Sequence, residues 1–164
     1  MPRTVRPIRI EGNIAYVPLT QGREAIIDAE SIEIISGKNW CAHKIRNTIY
    51  AATNVNGKTR HMHKFIMPHV DKMVVDHANG DGLDNRKSNL RYCTISENAF
   101  NQKVRSDNKS GFKGVYFSST YKKWTSEIYV NKKKIHLGRY NTKDEAAKAY
   151  KKASLELHKC FSNA

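Results

Sequence analysis

Short alternations of apolar and polar residues predict strands in the first part of the chain. RIEGNIAYVPL, beginning at Arg9, is predicted as one strand, EAIID follows from Glu24, and NTIYAATNV from Asn47. A period of two is typical of strands with one buried face, because successive side chains point to opposite sides. The pair Asn56-Gly57 then predicts a hairpin turn, since both central residues of such a turn must accept positive φ.

A different pattern begins at Val74, where a strand, a long polar loop, a second strand and a short helix follow one another. Thr94 and Glu97 have the spacing of a capping box, which predicts that the helix begins near Ile95. Residues 104–110 are polar and lack apolar periodicity, so they predict a linker.

Period-two alternation returns beyond the linker and predicts three strands, around Val115–Phe117, Trp124–Val130 and Ile135–Leu137. Thr142 and Glu145 form a second capping box and predict a final helix. The apolar residues of this helix fall on one face: Ala146, Ala149, Tyr150, Ala153 and Leu157.

The predicted fold class is therefore α+β. N-terminal strands lead into the β–β–α segment, and a three-stranded antiparallel sheet packed on one helix follows. The predicted domains are residues 1–103 and 111–164, joined by the linker 104–110.

The chain is strongly basic for its length of 164 residues. Lys and Arg number 29 against 15 Asp and Glu, which gives a formal net charge of +14. Such an excess favours a polyanionic partner, because each neutralised phosphate releases a condensed counterion. Residues from 104 onward contain 14 of the basic residues and 5 of the acidic ones, so the second domain is the stronger candidate for binding. A merely basic, soluble protein is the alternative on charge alone.

The three cysteines Cys41, Cys93 and Cys160 lie far apart and form no CxxC pair. Neither a zinc ribbon nor a disulfide framework is therefore indicated. The N-terminus lacks the apolar stretch of a signal peptide, and no segment has the length and apolarity of a membrane span. We expect a soluble protein of a reducing compartment, the cytoplasm.

The segment VVDHANGDGLDNRKSNLRYCTISENAFNQ, which begins at Val74, carries the most informative polar residues. Asp76 and His77 stand side by side at a predicted strand end. Adjacent strand residues point to opposite faces, so a bend would be needed for both to serve one site. An EF-hand is excluded, because Ala78 and Lys87 occupy its third and twelfth positions. A structural hairpin loop with Asn-Gly and Asp-Gly turns stays open.

This segment resembles the HNH (ββα-metal) nuclease family, specifically the homing-endonuclease branch of phages and mobile introns. The elements D-H, S-N-L-R and E-N occur in order and at family-like spacing. The resemblance implies that His77 is the general base and that Asn89 orients this base and braces the loop. It assigns Asp76 and Asn98 to one divalent cation, with Asn98 standing where many relatives have His. Hard oxygen donors favour Mg²⁺ or Mn²⁺ over Zn²⁺.

The reaction implied by this resemblance is hydrolysis of a phosphodiester bond in double-stranded DNA. Neutral His77 would take a proton from a water that attacks phosphorus, giving 5′ phosphate and 3′ hydroxyl products. His63, Lys64 and Arg91 are candidates for contact with phosphate. His61 and His63 would share one strand face, so a zinc pair is an alternative for them, although no second Cys or His pair lies nearby.

The C-terminal third resembles the DNA-binding domain of plant ethylene-responsive (apetala-type) transcription factors. The elements G-F-K-G-V, W-x-x-E-I, I-H-L-G and E-A-A-x-A-Y match in order. In that family the three-stranded sheet reads bases in the major groove. The resemblance and the strand alternation together imply a set of DNA-binding residues: Lys113, Tyr116, Lys122, Glu127, Tyr129, Lys134 and His136. An ordinary solvated sheet face is the alternative.

The sequence thus predicts a metal-dependent, site-specific DNA endonuclease of a phage or mobile element. A DNA-binding regulator with a vestigial nuclease motif is the second hypothesis. An RNA-binding protein is the third, and it is disfavoured because the RNA major groove suits a sheet poorly. The oligomeric state stays open between a monomer and a homodimer.

Overall fold

The computed structural model describes residues 5–101, 104, 107–130 and 133–158. The chain forms two compact units that meet in sequence between Thr94 and Ile95. Both contain short helices and small antiparallel sheets, which agrees with the predicted α+β class. None of the described helices is long and apolar enough to cross a membrane.

The first sheet has the order β1-β2-β3 and is built from Arg9–Glu11, Ile14–Pro18 and Glu24–Asp28. The sequence predicted a single strand from Arg9, and this was wrong at Gly12. Gly12 has a φ of +58°, so the chain reverses there and Glu11 pairs with Ile14. The two-residue turn shifts the alternation by one position, since Ile10 pairs with Ala15, and the prediction treated both sides of the turn as one run.

The second sheet has the order β4-β5-β6, with strands Cys41–Ile45, Thr48–Val55 and Lys58–His61. The hairpin turn predicted at Asn56-Gly57 is confirmed, since these residues have φ values of +51° and +77°. Strand β4 was not predicted, because three of its five side chains are partly buried and no alternation appears.

Short helical segments connect these sheets and close the core of the first unit. A 3₁₀ turn at Ala29–Ser31 runs into α1, Ile32–Ile35, and α2 covers His63–Ile66. Trp40 donates its indole N–H to the carbonyl of Ile35 at 3.0 Å, so the largest core side chain has its polar group satisfied. The core contains Ala15, Val17, Leu19, Ala25, Ile27, Ile35, Trp40, Ala51, Met62, Ile66 and Leu90.

A two-stranded hairpin completes the first unit. Strands β7, Val74–His77, and β8, Leu90–Cys93, pair in antiparallel register. The polar loop between them is tied to β3, because the amide of Ile26 donates to the carbonyl of Leu83 at 2.8 Å and the amide of Asn85 donates to the carbonyl of Ile26 at 2.7 Å.

The second unit contains α3, Ile95–Asn101, then β9, β10 and β11, and finally α4. Helix α3 begins at the residue that the capping-box spacing predicted. The strands Val115–Ser118, Lys123–Val130 and Lys133–Tyr140 form a sheet in the order β11-β10-β9. Helix α4, Lys143–His158, packs on all three, as predicted.

The capping box of α4 is confirmed by reciprocal hydrogen bonds. The Thr142 amide donates to Oε2 of Glu145 at 3.1 Å, and the Glu145 amide donates to Oγ1 of Thr142 at 3.3 Å. Two otherwise unpaired donors at the helix start are satisfied in this way. Ala146 is buried beneath the sheet, whereas Leu157 is exposed. The buried part of the predicted apolar face therefore ends before the C-terminal end of α4.

The linker predicted at 104–110 falls partly on residues 105 and 106, which lie outside the described residues. Its end forms an ordered turn, in which the side-chain oxygen of Asn108 accepts hydrogen bonds from the amides of Ser110 and Gly111, both at 2.9 Å. The predicted domain limits stay a prediction. In the structure α3 belongs to the C-terminal unit.

Gly82 lies in the polar loop and packs directly on β5. A Cβ atom at this position would stand 2.5 Å from the carbonyl oxygen of Ile49 and 2.6 Å from the ring of Tyr50. We therefore expect Gly82→Ala to lower the free energy of unfolding by about 2–3 kcal/mol, the usual cost of overpacking.

Gly12→Ala is the matched control in chemical denaturation. Nothing lies within 4 Å of a Cβ at Gly12, so the cost is the left-handed backbone conformation alone, about 1 kcal/mol. If Gly82→Ala lowers the free energy of unfolding no more than Gly12→Ala does, the loop can move away from β5.

Candidate functional site

Strand β7 ends on two buried polar residues. Asp76 is 6% exposed and His77 is 5% exposed, although neighbouring strand residues point to opposite faces. Asp76 pairs across the ladder with Arg91, and His77 pairs with Leu90. Both faces of the strand end are therefore covered, each by different partners.

Arg91 holds the carboxylate of Asp76. The Nε and Nη2 atoms of Arg91 lie 2.9 and 2.8 Å from Oδ2 of Asp76. Both donors reach the same carboxylate oxygen. The guanidinium remains partly exposed, so positive charge stands at the surface beside a buried acid.

His77 meets the side chain of Asn85. The distance between Nε2 of His77 and Oδ1 of Asn85 is 3.3 Å. Burial lowers the pKa of His77 below 6.5, although the bond to Asn85 and the nearby carboxylates of Asp76, Asp81 and Asp84 act in the opposite direction. The imidazole is therefore neutral at pH 7, the form that can accept a proton.

The predicted Asn89 braces the loop between β7 and β8. Its Oδ1 accepts the amide of Asn79 at 3.0 Å, and its Nδ2 donates to the carbonyl of Asp84 at 2.8 Å. These bonds join loop backbone, whereas the amide against His77 belongs to Asn85. Sequence reasoning missed Asn85, because it is one of several Asn residues in a polar loop and no spacing rule distinguishes it.

Asp84 gives the loop a second internal brace. Arg86 donates to both of its carboxylate oxygens, at 2.8 and 2.7 Å, and Nδ2 of Asn79 donates to Oδ2 at 3.0 Å. These hydrogen bonds, of which that from Arg86 has the largest effect, lower the pKa of Asp84 although the residue is buried. The loop therefore keeps its shape through polar contacts, with few apolar side chains of its own.

Four histidines lie in a row that ends at His77. Nδ1 of His43 is 3.2 Å from Nε2 of His61, and the ring of His61 stacks on that of His63 with centroids 5.5 Å apart. The His63 ring then meets His77 edge-on at 5.0 Å. Tyr50 contacts the last three of these rings at 5.4–5.9 Å. The sequence did not predict this row, because its members come from β4, β6, α2 and β7.

His63 is the most deeply perturbed member of the row. It is 6% exposed, and its Nδ1 has no hydrogen-bond partner within the described part of the chain. Burial, with smaller effects from His77, His61 and Lys64, lowers the pKa of His63 to about 3. Burial also lowers the pKa of His61. Lys64, the neighbouring candidate for phosphate contact, is exposed on α2.

The two residues predicted to bind a divalent cation lie in different units. Asp76 belongs to the first unit and Asn98, on α3, to the second. Among the described residues, no group of three or more His, Cys, Asp or Glu side chains is arranged to hold a metal ion. A carboxylate and an amide oxygen are nevertheless the hard donors that Mg²⁺ and Mn²⁺ prefer, with water and phosphate completing the shell. The donor chemistry fits such a cation.

Glu127 is central to the predicted DNA-binding face of the second unit. Its carboxylate pairs with Lys134 at 3.1 Å and approaches His136 at 3.7 Å. Partial burial opposes ionisation, but hydrogen bonds from Lys134 and Tyr116 lower the pKa of Glu127. Tyr129 lies on the same face and is 58% exposed.

The alternation behind this face is interrupted once. A bulge lies between Ser126 and Glu127, and Thr125, which alternation alone would place on the outer face, is buried. Lys113 donates from Nζ to the carbonyl of Phe100 at 2.8 Å, at the end of α3, and burial lowers the pKa of Lys113. Lys122 is exposed in the turn before β10, with a φ of +48°.

The perturbed pKa of His63 gives the fold a measurable pH dependence. The folded pKa lies below 6.5, so the neutral ring stabilises the fold above that pH and stability is lost as pH falls from 6.5 toward 3. Lowering the pH from 7 to 5 should reduce the free energy of unfolding by about 2 kcal/mol from His63 alone.

Denaturation of His63→Phe at both pH values measures this contribution, since the phenylalanine ring cannot be protonated. His69→Gln, which removes an exposed histidine of the same unit, should keep the wild-type loss. Equal pH dependence of wild type and His63→Phe would contradict the burial of a neutral His63.

Comparisons with known proteins bear on the hairpin segment. Residues 67–100 match a family model described as HNH endonuclease. The chain is also 28% identical over 88 residues to Protein 3.8 of Escherichia phage T7, a match that covers 54% of this chain and 72% of that protein. No solved structure matches the chain significantly. The match to an HNH endonuclease model suggests nuclease activity, and the roles predicted for Asp76, His77, Asn89 and Asn98, which lie within the matched range, stay predictions.

Proposed function

We propose that this chain is a metal-dependent, site-specific DNA endonuclease of the HNH type. The observation that carries the proposal is the burial of Asp76 and His77 together at the end of β7, within the segment that matches the HNH endonuclease model. Buried ionisable side chains cost free energy unless they are partnered. Adjacent buried ionisable groups are typical of catalytic sites, although structural ion pairs also contain them.

His77 is the general base of this proposal. Its neutral imidazole takes a proton from a water, and that water attacks the phosphorus of the scissile phosphodiester in line with the leaving 3′ oxygen. The products are a 5′ phosphate and a 3′ hydroxyl. Asn89 supports the base indirectly, through the loop that it braces.

Asp76 and Asn98 would hold one Mg²⁺ or Mn²⁺ ion. When bound, such a cation supplies positive charge to the scissile phosphate and to the leaving oxygen. Arg91 orients the carboxylate of Asp76 through its two bonds to Oδ2. The remaining exposure of its guanidinium also suits contact with phosphate, as does the exposed Lys64. His63, being neutral, would contribute a hydrogen bond and no charge.

The outer face of β9–β11 is proposed to bind double-stranded DNA. Exposed tyrosines beside a Lys–Glu–His group provide aromatic surface, hydrogen-bond donors and an acceptor, the groups that base edges and phosphates require. The high content of Lys and Arg in residues 104–164 adds the charge that non-specific DNA affinity requires. The proposed contacts are Lys113, Tyr116, Lys122, Glu127, Tyr129, Lys134 and His136.

The second candidate function is a DNA-binding regulator with a vestigial nuclease motif. It is favoured by one observation, the ion pair of Arg91 with Asp76, since a carboxylate held by arginine can also serve structure alone. Cleavage distinguishes the two functions, because only the endonuclease requires metal-dependent hydrolysis.

Cleavage of supercoiled plasmid with Mg²⁺ or Mn²⁺ tests the base. We expect His77→Ala to lower the nicking rate by about 10²–10⁴-fold, the usual contribution of a general base, and EDTA to abolish nicking. His69→Ala is the control, because it removes an exposed histidine of the same unit. Turnover retained in a folded His77→Ala protein would exclude His77 as the base. Tight binding to a selected DNA site without any cutting by the wild type would favour the regulator.

The salt dependence of DNA binding tests the sheet face. Lys134→Ala should weaken binding and reduce the slope of log K against log salt by about 1, the effect of one lost phosphate contact. Lys148→Ala, on the exposed side of α4, is the matched control and should leave the slope unchanged. Equal slopes for the wild type and both variants would show that DNA binds to a surface other than this sheet face.

A further inference from the structure

Asn85 is wholly enclosed although it lies in a polar loop. Its relative exposure is 0%, and it is among the largest fully buried side chains of the described chain. Asparagine is rarely buried without polar partners. The hydrogen bonds of the Asn85 side chain therefore indicate its role.

The orientation of the Asn85 amide follows from its surroundings. Its Nδ2 lies 3.0 Å from the carbonyl oxygen of Leu83, and a carbonyl oxygen can only accept. The nitrogen end of the amide is therefore fixed on Leu83, and the oxygen end faces His77, with Oδ1 3.3 Å from Nε2. The reverse orientation would set two acceptors against each other at Leu83.

This orientation determines which ring nitrogen of His77 carries hydrogen. An amide oxygen accepts and cannot donate, so Nε2 of His77 must be the donor in this bond. A neutral imidazole has one N–H and one lone pair. With hydrogen on Nε2, the lone pair is on Nδ1.

We propose that Asn85 is a positioning residue that fixes His77 as the Nε2–H tautomer and thereby makes Nδ1 the atom that takes the proton from water. The catalytic half of this inference rests on the proposed endonuclease function. The tautomer itself does not, because it follows from the geometry of Leu83, Asn85 and His77.

The backbone of Asn85 is anchored outside the loop. Its amide donates to the carbonyl of Ile26 at 2.7 Å, and the Ile26 amide donates to Leu83 at 2.8 Å. Strand β3 therefore holds both Asn85 and Leu83, the residue whose carbonyl fixes the amide nitrogen of Asn85. Asn89 donates to the carbonyl of Asp84, the residue before Asn85, so it braces the same short segment. The N-terminal sheet thus acquires a role in setting the chemistry of His77.

¹⁵N NMR of the metal-free full-length protein at neutral pH tests the tautomer directly. We expect a pyrrole-type shift for Nε2 of His77, a pyridine-type shift for Nδ1, and a slowly exchanging Nε2–H proton. A pyridine-type Nε2 would overturn the inference whatever the protein catalyses. This measurement needs no variant, so it stands even where a substitution impairs folding.

Asn85→Leu then removes the acceptor at nearly constant volume. The Nε2–H proton should exchange with solvent at least about tenfold faster, and nicking should slow by about tenfold or more, as for loss of one hydrogen bond. Asn79→Ala is the matched control, because it removes two side-chain bonds from the same loop and should leave the proton protected. Unchanged exchange and unchanged nicking in folded Asn85→Leu would overturn the positioning role.

The two proposals fail separately. If the wild type shows the Nε2–H tautomer but no nicking under any metal, Asn85 positions His77 as inferred and only the endonuclease proposal fails. If the wild type cleaves with hydrogen on Nδ1, the endonuclease stands and the Asn85 inference fails.

Discussion

Hydrogen bonds between Ile26 and the loop residues Leu83 and Asn85 are the contacts on which the candidate site depends. The loop that joins β7 to β8 is long and polar, so it has little apolar surface to bury and cannot hold its shape by packing alone. Anchoring its middle to β3, an edge strand of the first sheet, removes most of that freedom. Asn89 and Asp84 then fix the remaining turns from within. The loop becomes a rigid support for the end of β7.

Charge is distributed unevenly around this support. The chain has a formal net charge of +14, yet His61, His63 and His77 carry no charge at neutral pH, since burial lowers the pKa of each. A proton acceptor must be neutral before the reaction and must tolerate charge during it. Buried carboxylates beside His77 favour its protonated form, and the lysines of the surface attract the phosphate backbone from a distance. Local and global electrostatics therefore serve different steps of the proposed reaction.

Local patterns in the sequence predicted the elements with strong signals. The strand at Glu24–Asp28, the Asn56-Gly57 turn, the hairpin of β7 and β8 and the start of α4 all follow from alternation or from capping residues. The failures have physical causes. The turn at Gly12 and the bulge after Ser126 each shift the alternation by one position, and the shift at the bulge leaves Thr125 buried. A one-residue shift is hard to recognise in short segments whose apolar positions are few.

For the site, the sequence by itself determined which chemical groups are available. Asp76 and His77 are adjacent in the chain, and Asn89 and Asn98 follow at spacings that resemble a known nuclease motif. All four could therefore be identified as candidate site residues from the sequence. The tertiary structure alone decided that Asn85 faces His77, that Arg91 binds Asp76, and that histidines from four elements lie in one row. No sequence rule predicts these contacts, because the residues that make them are separated along the chain by irregular distances. They arise because packing of the sheets brings distant side chains together, and burial then changes their protonation.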